Sequence, residues 1–373
     1  ITKRIPHLCG FWHFANAYVT NCLKGGADNM TLKEIASRAG VSVATVSYVL
    51  NNSAKVSDET RQKVEKIVKE TGYRSNMIAQ SLRKSRTSLI GVLVEDVTVW
   101  HTAYIIDGIN ILSEAKGYQT ILSNLRLCTK IESEFDHISQ YLDDINKAVD
   151  LLLGMQVDGI IYVGMHDRKI TDVLRVIDKP VVYCYCYTDG EGSSSVRYSN
   201  MNSAYYMTKR FLNLGHKNFA VVKGNEKSEA THLRMKGIVK ALEEQDIELN
   251  PKYVINGQWK YEETRDQILE LLKEPDCPKA FIAMNDDMAV AVRDAAWELG
   301  LQIPDDISVS GFDNSEVVHY GVPRIATVDR PLQEMGYKAM ELMLKKVEES
   351  DTADINLTLP CEIIEGTSIK KLI

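Results

Sequence analysis

No run of about 18 consecutive apolar residues occurs in this chain of 373, so no segment is long and apolar enough to cross a bilayer as a helix. Cysteine is scarce. There are seven, an odd number without paired spacing, which argues against a disulfide framework and for reduced thiols in a cytoplasm. They read as small buried hydrophobes. Cys184 and Cys186 alternate in a strand-like run and are expected to face the same side. No Cys/His cluster has zinc-ligand spacing, so no metal is expected. Ser-His-Asp, P-loop and HExxH patterns are missing too, and with them the usual grounds for reading an enzyme or a cofactor. Glu365–Ile373 forms no extended leucine heptad, which speaks against tetramers made by a C-terminal bundle. What is present is ordinary globular material, 45% hydrophobic and 25% charged, with room for two or three cores.

Positive charge is also in short supply, and it is unevenly placed. The chain carries −7 overall, yet residues 30–86 hold 11 Lys plus Arg against 5 Asp plus Glu. Residues 1–29 add three basic groups and one acid, so everything beyond residue 86 carries −15. A basic head on an acidic body is the asymmetry of a nucleic-acid-binding module attached to something that should stay off DNA.

Inside the head, TLKEIASRAGVSVATVSYVLNN (Thr31–Asn52) reads as two short helices joined by a tight turn. Thr31 and Glu34 have capping-box spacing. Leu32, Ile35, Ala36 and Ala39 recur at helical spacing and give one apolar face. Gly40 supplies the positive φ of the turn, Val41 tucks back into the core, and Ser42 caps the second helix. Val46, Val49 and Leu50 then point inward, and Val43, Ala44, Thr45, Ser47 and Tyr48 outward. A third helix is expected from Ser57, as N-cap, to Glu70, ending at Gly72.

At this point a family resemblance emerges. GVSVATVSYVLNN, VSDETRQKVEKIVKETGY (Val56–Tyr73), NDDMA (Asn285–Ala289), IPDDISVSGFDN (Ile303–Asn314) and RIATVDRPLQEMG (Arg324–Gly336) together resemble the lactose-repressor/galactose-repressor family of bacterial transcription regulators. Separated motifs in the right order make the match specific, and it runs from Met30 to the C-terminus. The resemblance implies an α/β protein with an N-terminal helix-turn-helix three-helix head and a two-lobed, periplasmic-binding-protein-like sensor of doubly wound parallel sheets. It implies residues 30–75 as the DNA-binding domain, 76–86 as a hinge helix that orders on DNA, and 87–373 as the effector-binding and dimerisation domain. Val43, Ala44 and Tyr48 match positions that read bases. Thr45, Ser47 and Asn51 match positions that fix register, with Thr31, Leu32 and Ser42 at the helix starts. Val43 and Ala44 are expected to read apolar features such as thymine methyls. In the hinge, Asn76, Ala79 and Leu82 match minor-groove positions, with Leu82 as the wedge between base pairs. Ser75 departs from the family's frequent proline.

The body alternates strand and helix. SLIGVLVED (88–96), YQTILSNL (118–125), VDGIIYVGM (157–165), KPVVYCYCY (179–187), KNFAVVKG (217–224) and KAFIAMND (279–286) read as strands, and IIDGINILSEAKG (105–117) as a helix. This pattern predicts parallel sheets covered on both faces, with ligands off the carboxyl ends of the strands. The resemblance adds three crossings between lobes, placed near residues 188, 323 and 352. Lobe 1 is then about 88–188 and 323–350, and lobe 2 about 189–322 and 351–373. Asn124–Asp150 looks longer than the family's usual helix, and Ser199 replaces a common Asp.

For the effector, Trp100 and His101 follow the first strand where the family usually shows Asn-Pro-Phe. Tyr185 stands where Asp is frequent. Arg234, Trp259, Asn285 and Asp313 match further ligand positions. Aromatic faces combined with Asn, Asp and Arg are the chemistry of sugar recognition. Asp286 reads as a brace for its loop.

Residues 1–29 read as a translated leader with little fixed structure. Lys24-Gly25-Gly26 can be encoded by a ribosome-binding sequence, and Met30 sits directly before the helix pair. The expectation is a cytoplasmic, homodimeric repressor of carbohydrate-utilisation genes. It would bind a pseudo-palindromic double-stranded operator, respond to a sugar, and contact no membrane. The alternatives are a purine- or phosphoprotein-responsive global regulator of the same family or, for the body alone, a transport-type sugar-binding protein. Sequence-specific DNA binding by the whole chain separates the last of these.

Overall fold

Capping sets the start of the head. In the computed structural model, residues 30–50, 55–73, 86–131, 135–170, 172–190, 192–349 and 353–372 are described. They fall into two units, Ile1–Thr87 and Ser88–Ile373, treated separately below.

In the head, Thr31 and Glu34 form the full capping box in front of α1 (Leu32–Ala39): the Thr31 amide donates to Glu34 Oε2 at 2.6 Å. Gly40 ends the helix at φ 64°, and its amide donates to Ala36 and Ser37 carbonyls. Ser42 Oγ accepts from the Thr45 amide at 3.0 Å and so caps α2 (Val43–Leu50). The third helix, α3, runs Asp58–Thr71 and closes on Gly72 at φ 61°. Ser57 is its N-cap residue, as expected, but the Ser57 hydroxyl donates to Thr60 Oγ1 and makes no capping bond to the backbone. Ile35, Ala36, Ala39, Val46, Val49 and Val64 make the buried core.

The sensor opens with a six-stranded parallel sheet in the order β11-β5-β4-β3-β1-β2. Its strands are β1 (Leu89–Val94), β2 (Gln119–Asn124), β3 (Gly159–Val163), β4 (Val181–Cys184), β5 (Ser193–Tyr198) and β11 (Asn356–Leu359). Alternate residues serve opposite faces. Val92, Ile161 and Val182 pack with α4 (Trp100–Lys116) and α11 (Leu332–Glu348), while Leu93, Ile160 and Tyr162 pack with α6 (Leu142–Gly154). The segment expected to hold one long helix breaks into α5 (Cys128–Ile131), a 3-10 turn (Phe135–Tyr141) and the start of α6.

The second lobe is a four-stranded parallel sheet, β7-β6-β8-β9, built from β6 (Phe219–Lys223), β7 (Val254–Asn256), β8 (Ala280–Ala283) and β9 (Ser308–Ser310). Its helices are α7 (Asn200–Asn213), α8 (Glu229–Glu243), α9 (Tyr261–Leu271) and α10 (Asp286–Glu298). Two short strands, β10 (Thr327–Asp329) and β12 (Glu362–Ile364), pair antiparallel.

This topology moves the crossings. β5 pairs with β4 from Val181↔Ser193 to Cys184↔Val196, so the chain leaves the first sheet at Ser199 and not near 188. β11 pairs with β5, so the last crossing falls at residues 360–361 and not near 352. The middle one is β10 and the residues after it, tied to the second lobe by bridges Ser310↔Ala326 and Asp313↔Asp329. The boundaries 188 and 352 are corrected accordingly, because strands rich in hydroxyl groups extend the first sheet, and the middle crossing moves from near 323 to the residues after Asp329. A second correction concerns the cysteines. Tyr185 has φ 62°, which ends the strand, so Cys184 and Cys186 belong to different core clusters.

Two close fits fix the first lobe. A Cβ at Gly108 would stand 1.9 Å from the Gln333 carbonyl oxygen, and one at Gly336 1.9 Å from that of Ile105, so α4 and α11 touch backbone to backbone. At the end of β1, Glu95 is wholly buried. Arg168 grips it through Nη1 (2.9 Å) and Nη2 (2.7 Å), and the Tyr162 hydroxyl (2.6 Å) and Met165 amide (2.8 Å) add two more donors.

Candidate functional site

The outer face of α2 starts at its N-terminal end. Ala44 and Tyr48 are exposed, the latter by 44%, with Lys55 Nζ 6.0 Å from its ring centroid. Thr45 and Ser47 are half-buried, and Thr45 Oγ1 lies 2.9 Å from Ser42 Oγ. Val43, expected to point outward, is half-buried against the head core. Leu50, expected inward, is only half-buried, as is Leu32. Asn51, Ser75, Asn76, Ala79, Leu82 and residues 1–29 lie outside the described residues.

In the sensor, two arginines share one carboxylate between the lobes. Asp313 Oδ1 lies 3.1 Å from Arg330 Nε and 3.9 Å from Arg234 Nη2. Arg234, 3% exposed, donates from Nε to Asn200 Oδ1 (2.8 Å), from Nη2 to the Tyr198 hydroxyl (3.0 Å) and from Nη1 to the Met284 carbonyl. Its guanidinium stands 3.5 Å from the Phe312 ring centroid and 5.5 Å from that of Trp259. Arg330 Nη1 donates to the Tyr185 hydroxyl at 2.6 Å, and its guanidinium lies 4.9 Å from the Trp100 ring centroid. Tyr185 stacks on Tyr198 at 5.6 Å, and His101 meets its edge at 4.7 Å.

The structure therefore brings together Trp100, His101, Tyr185, Arg234, Trp259 and Asp313. Asn285 caps α10 by accepting from the Met288 amide, and it donates to the carbonyl of Trp259 within the group. Trp259 sits at φ 66° with its indole over Gly224, where a Cβ would stand 2.1 Å from the ring. Sequence reasoning missed Arg330. It sits inside RIATVDRPLQEMG, a stretch legible as a family motif but not as a ligand surface.

In front of this group opens an interlobe cleft of about 1050 Å³. Trp100, Tyr104, Asp313, Asp329, Arg330 and Glu362 are among the residues lining it. Trp100 heads α4 half-exposed, whereas His101, Tyr185 and Arg234 are buried behind the cleft.

Charge in the inner group comes from the arginines and not from imidazoles. Burial, then Arg330, holds His101 well below the usual imidazole range while its Nε2 bonds the Met165 carbonyl (3.1 Å). His166 is pushed down to about 4 by desolvation and then by Arg168. Asp286 braces the Asp313 loop as expected, accepting from the Ser315 amide (2.7 Å) and hydroxyl and from the Thr327 hydroxyl (2.6 Å). Burial, then repulsion from Asp313, pushes Asp286 up to about 7. A carboxyl whose folded pKa lies above its unfolded value holds its proton longer in the fold, so its contribution to stability declines as pH rises between the two. The sensor's melting temperature should therefore carry a component that falls between about pH 4 and 7 and flattens above. Asp286→Asn should remove that component; an unchanged pH profile in the variant would assign it elsewhere.

Among the described residues no helix is long and apolar enough to cross a membrane, and no group of three His, Cys, Asp or Glu is placed to hold a metal.

A recognition helix on a small basic head, followed by two α/β lobes around an arginine-carboxylate cleft, defines a ligand-sensing DNA-binding regulator. The profile of the family described as bacterial regulatory proteins, lacI family, matches residues 31–76, and that of the periplasmic binding protein-like domain matches residues 208–369. The chain is 29% identical over 337 residues to the catabolite control protein A of Priestia megaterium, covering 90% of this chain and 98% of that protein. Among solved structures, it superposes on the Lac repressor dimer bound to operator and the anti-inducer ONPF with a TM-score of 0.76, at 24% identity over 92% of this chain and 100% of that one. The complex of the transcriptional regulator CelR with cellobiose gives 0.62 at 26% identity, covering 91% and 99%. The chain thus carries a DNA-binding region similar to that of the lacI family of bacterial regulatory proteins and a periplasmic binding protein-like domain.

Proposed function

We propose that this protein is a homodimeric transcriptional repressor whose affinity for a pseudo-palindromic operator is changed by a sugar bound between the sensor lobes. The observation that carries the sensing half is the grouping of Arg234, Arg330 and Asp313 behind Trp100 at an interlobe cleft. A carboxylate beside fixed guanidiniums offers acceptor and donor to adjacent hydroxyls, and an indole face covers the apolar side of a pyranose. The similar CelR binds cellobiose in its solved complex, in keeping with a saccharide effector here. For the DNA half, Ala44 and Tyr48, one turn apart, stand exposed on the face of α2 that would enter the major groove. Self-association has a candidate surface. Trp297 and Val322, 78% and 97% exposed, border one hollow on the second lobe, with Tyr320 (82%) adjacent in sequence.

Such a repressor carries out no catalytic step and works in the cytoplasm beside the DNA. Selection of binding sites from random duplexes by the whole chain, repeated with mono- and disaccharides, tests both halves. An inverted repeat whose recovery changes with one sugar class supports the proposal; no enriched sequence, or no sugar effect, removes the corresponding half. Arg234→Ala should abolish the sugar response by opening the Asp313 site while leaving operator affinity within about threefold, a change of roughly 0.7 kcal/mol. Loss of both together in gel-shift titrations, with a melting temperature far below the parent's, would make Arg234 a folding residue and not a ligand residue.

A further inference from the structure

Glu229 opens α8 in the second lobe, yet its carboxylate is held by the first. Oε1 accepts from Arg197 Nη2 at 2.9 Å and from the Tyr187 hydroxyl at 3.0 Å, and Oε2 accepts from the Lys169 amide at 3.0 Å. The Arg197 guanidinium lies against Tyr187, 3.8 Å from its ring centroid. Arg197 Nε then donates to Asp167 Oδ1 at 2.6 Å, and the other oxygen of Asp167 accepts from Asn200 Nδ2 at 2.7 Å. Asn200 begins α7 in the second lobe, and its Oδ1 accepts from Arg234 Nε at 2.8 Å. Arg234 and Glu229 share α8, so the ring closes.

We propose that this ring, Glu229–Arg197–Asp167–Asn200–Arg234, is a clasp that holds the two lobes of the sensor together. Lys169, Tyr187, Arg197 and Asp167 stand on the first-lobe side; Glu229, Asn200 and Arg234 stand on the second. Parting the lobes breaks the bonds of Glu229 and the Asp167–Asn200 bond in one event. It also uncovers Asp167, whose side chain has no exposure at all, and leaves Arg197 (20% exposed) beside one carboxylate where it had two. Bonds that break in concert give two discrete arrangements and not a gradual opening. Because Arg234 is a member, the clasp also fixes the residue assigned above to the effector. That consequence rests on the proposed sensing role, whereas the clasp itself does not.

The test uses the full chain without any sugar or DNA. Amide hydrogen exchange is followed at Lys169, whose N–H donates to Glu229, and across residues 228–234, with Ile160–Val163 inside the sheet as the reference. In Glu229→Ala, exchange at Lys169 and across 228–234 should quicken at least tenfold, while the reference strand stays at the parent rate and so reports an intact fold. Arg197→Met should act in the same direction, and the double variant should exchange no faster than the quicker single variant, as expected of one unit. Exchange at Lys169 within twofold of the parent in Glu229→Ala would overturn the clasp, as would fully multiplicative effects in the double variant. Since no ligand is added, a failed sugar or operator assay leaves this result standing, and the converse holds too.

Discussion

Gly336→Val should cost the sensor more stability than any single surface change. The Cβ of even alanine would sit 1.9 Å from the Ile105 carbonyl oxygen and 3.0 Å from the Ile109 amide nitrogen, both backbone atoms of α4. No side-chain rotation relieves such a contact, so α4 and α11 must separate. Separation loosens the packing of buried Ile105, Ile109, Met335, Ala339 and Met340. Forcing a methylene into a core typically costs about 1–3 kcal/mol, and a backbone clash of this depth should exceed that range. Melting should fall by roughly 2–4 °C for each kcal/mol in a domain near this size. Gly336→Ala should lie between parent and valine variant. A valine variant melting within about 2 °C of the parent, less than the shift expected for a single kcal/mol, would show that the helices are not in backbone contact. The reciprocal Gly108 makes the same prediction from the other helix, and the two variants combined should be less than additive, because one separation accommodates both.

The second large effect is electrostatic. Arg168→Leu leaves Glu95 fully buried with its guanidinium gone and only the Tyr162 hydroxyl and Met165 amide as donors. Removing one partner of a buried pair costs about 3–5 kcal/mol. The pH dependence identifies the cause. In the parent, burial opposes the charge on Glu95, but Arg168 and the hydrogen bonds prevail and hold its pKa below the usual value. Such a group contributes stability above its unfolded pKa, and that contribution is lost as pH falls through the folded pKa. In the variant the sign reverses: uncompensated burial raises the Glu95 pKa, so protonation becomes favourable and the deficit against the parent should narrow as pH falls from about 7 towards about 5. Denaturant titrations at both pH values decide this. A deficit of constant size would mean that Arg168 stabilises through packing and not through Glu95. Glu95→Leu/Arg168→Leu should regain part of the loss, since a buried charge without a partner is worse than none.

Much of the architecture is readable because parallel strands covered on both faces are written as runs of Val, Ile and Leu. LIGVLV, GIIYV, FAVVK and AFIA all stand where such runs predict. What escapes has a physical reason in each case. β5 reads SSSVRY, and buried Ser194 and Ser195 carry no hydrophobic signal although their strand is paired on both sides. β7, β9, β10 and β12 are three residues each, too short for any period to show. Without β5 and β11, two lobe crossings are displaced. The alternation expected for Cys184 and Cys186 fails at Tyr185, whose left-handed backbone no side-chain pattern announces.

The candidate site is legible in its members more than in its arrangement. Arg234, Asp313, Trp100 and Tyr185 do converge, but through Arg330, which no sequence pattern marks as a ligand residue. Asn285 reads as a ligand partner, and the structure shows its amide bonded to the Met288 and Trp259 backbone. In the head, the caps at Thr31, Gly40 and Ser42 are readable because each rests on a local rule, whereas the half-burial of Val43 depends on tertiary contacts with the neighbouring helices.

Arg330 follows β10, one of the three segments that carry the chain between lobes, and it also lines the cleft. On the proposed sensing role, pivot and recognition surface would be written in the same few residues. A protein engineer who changes Arg330 to admit another effector would alter the stiffness of the joint in the same stroke, and leakiness of the resulting biosensor would drift with its selectivity. Trp100 heads a helix wholly within one lobe, but its ring lies 4.9 Å from the Arg330 guanidinium, so libraries aimed there would reach the joint through that contact.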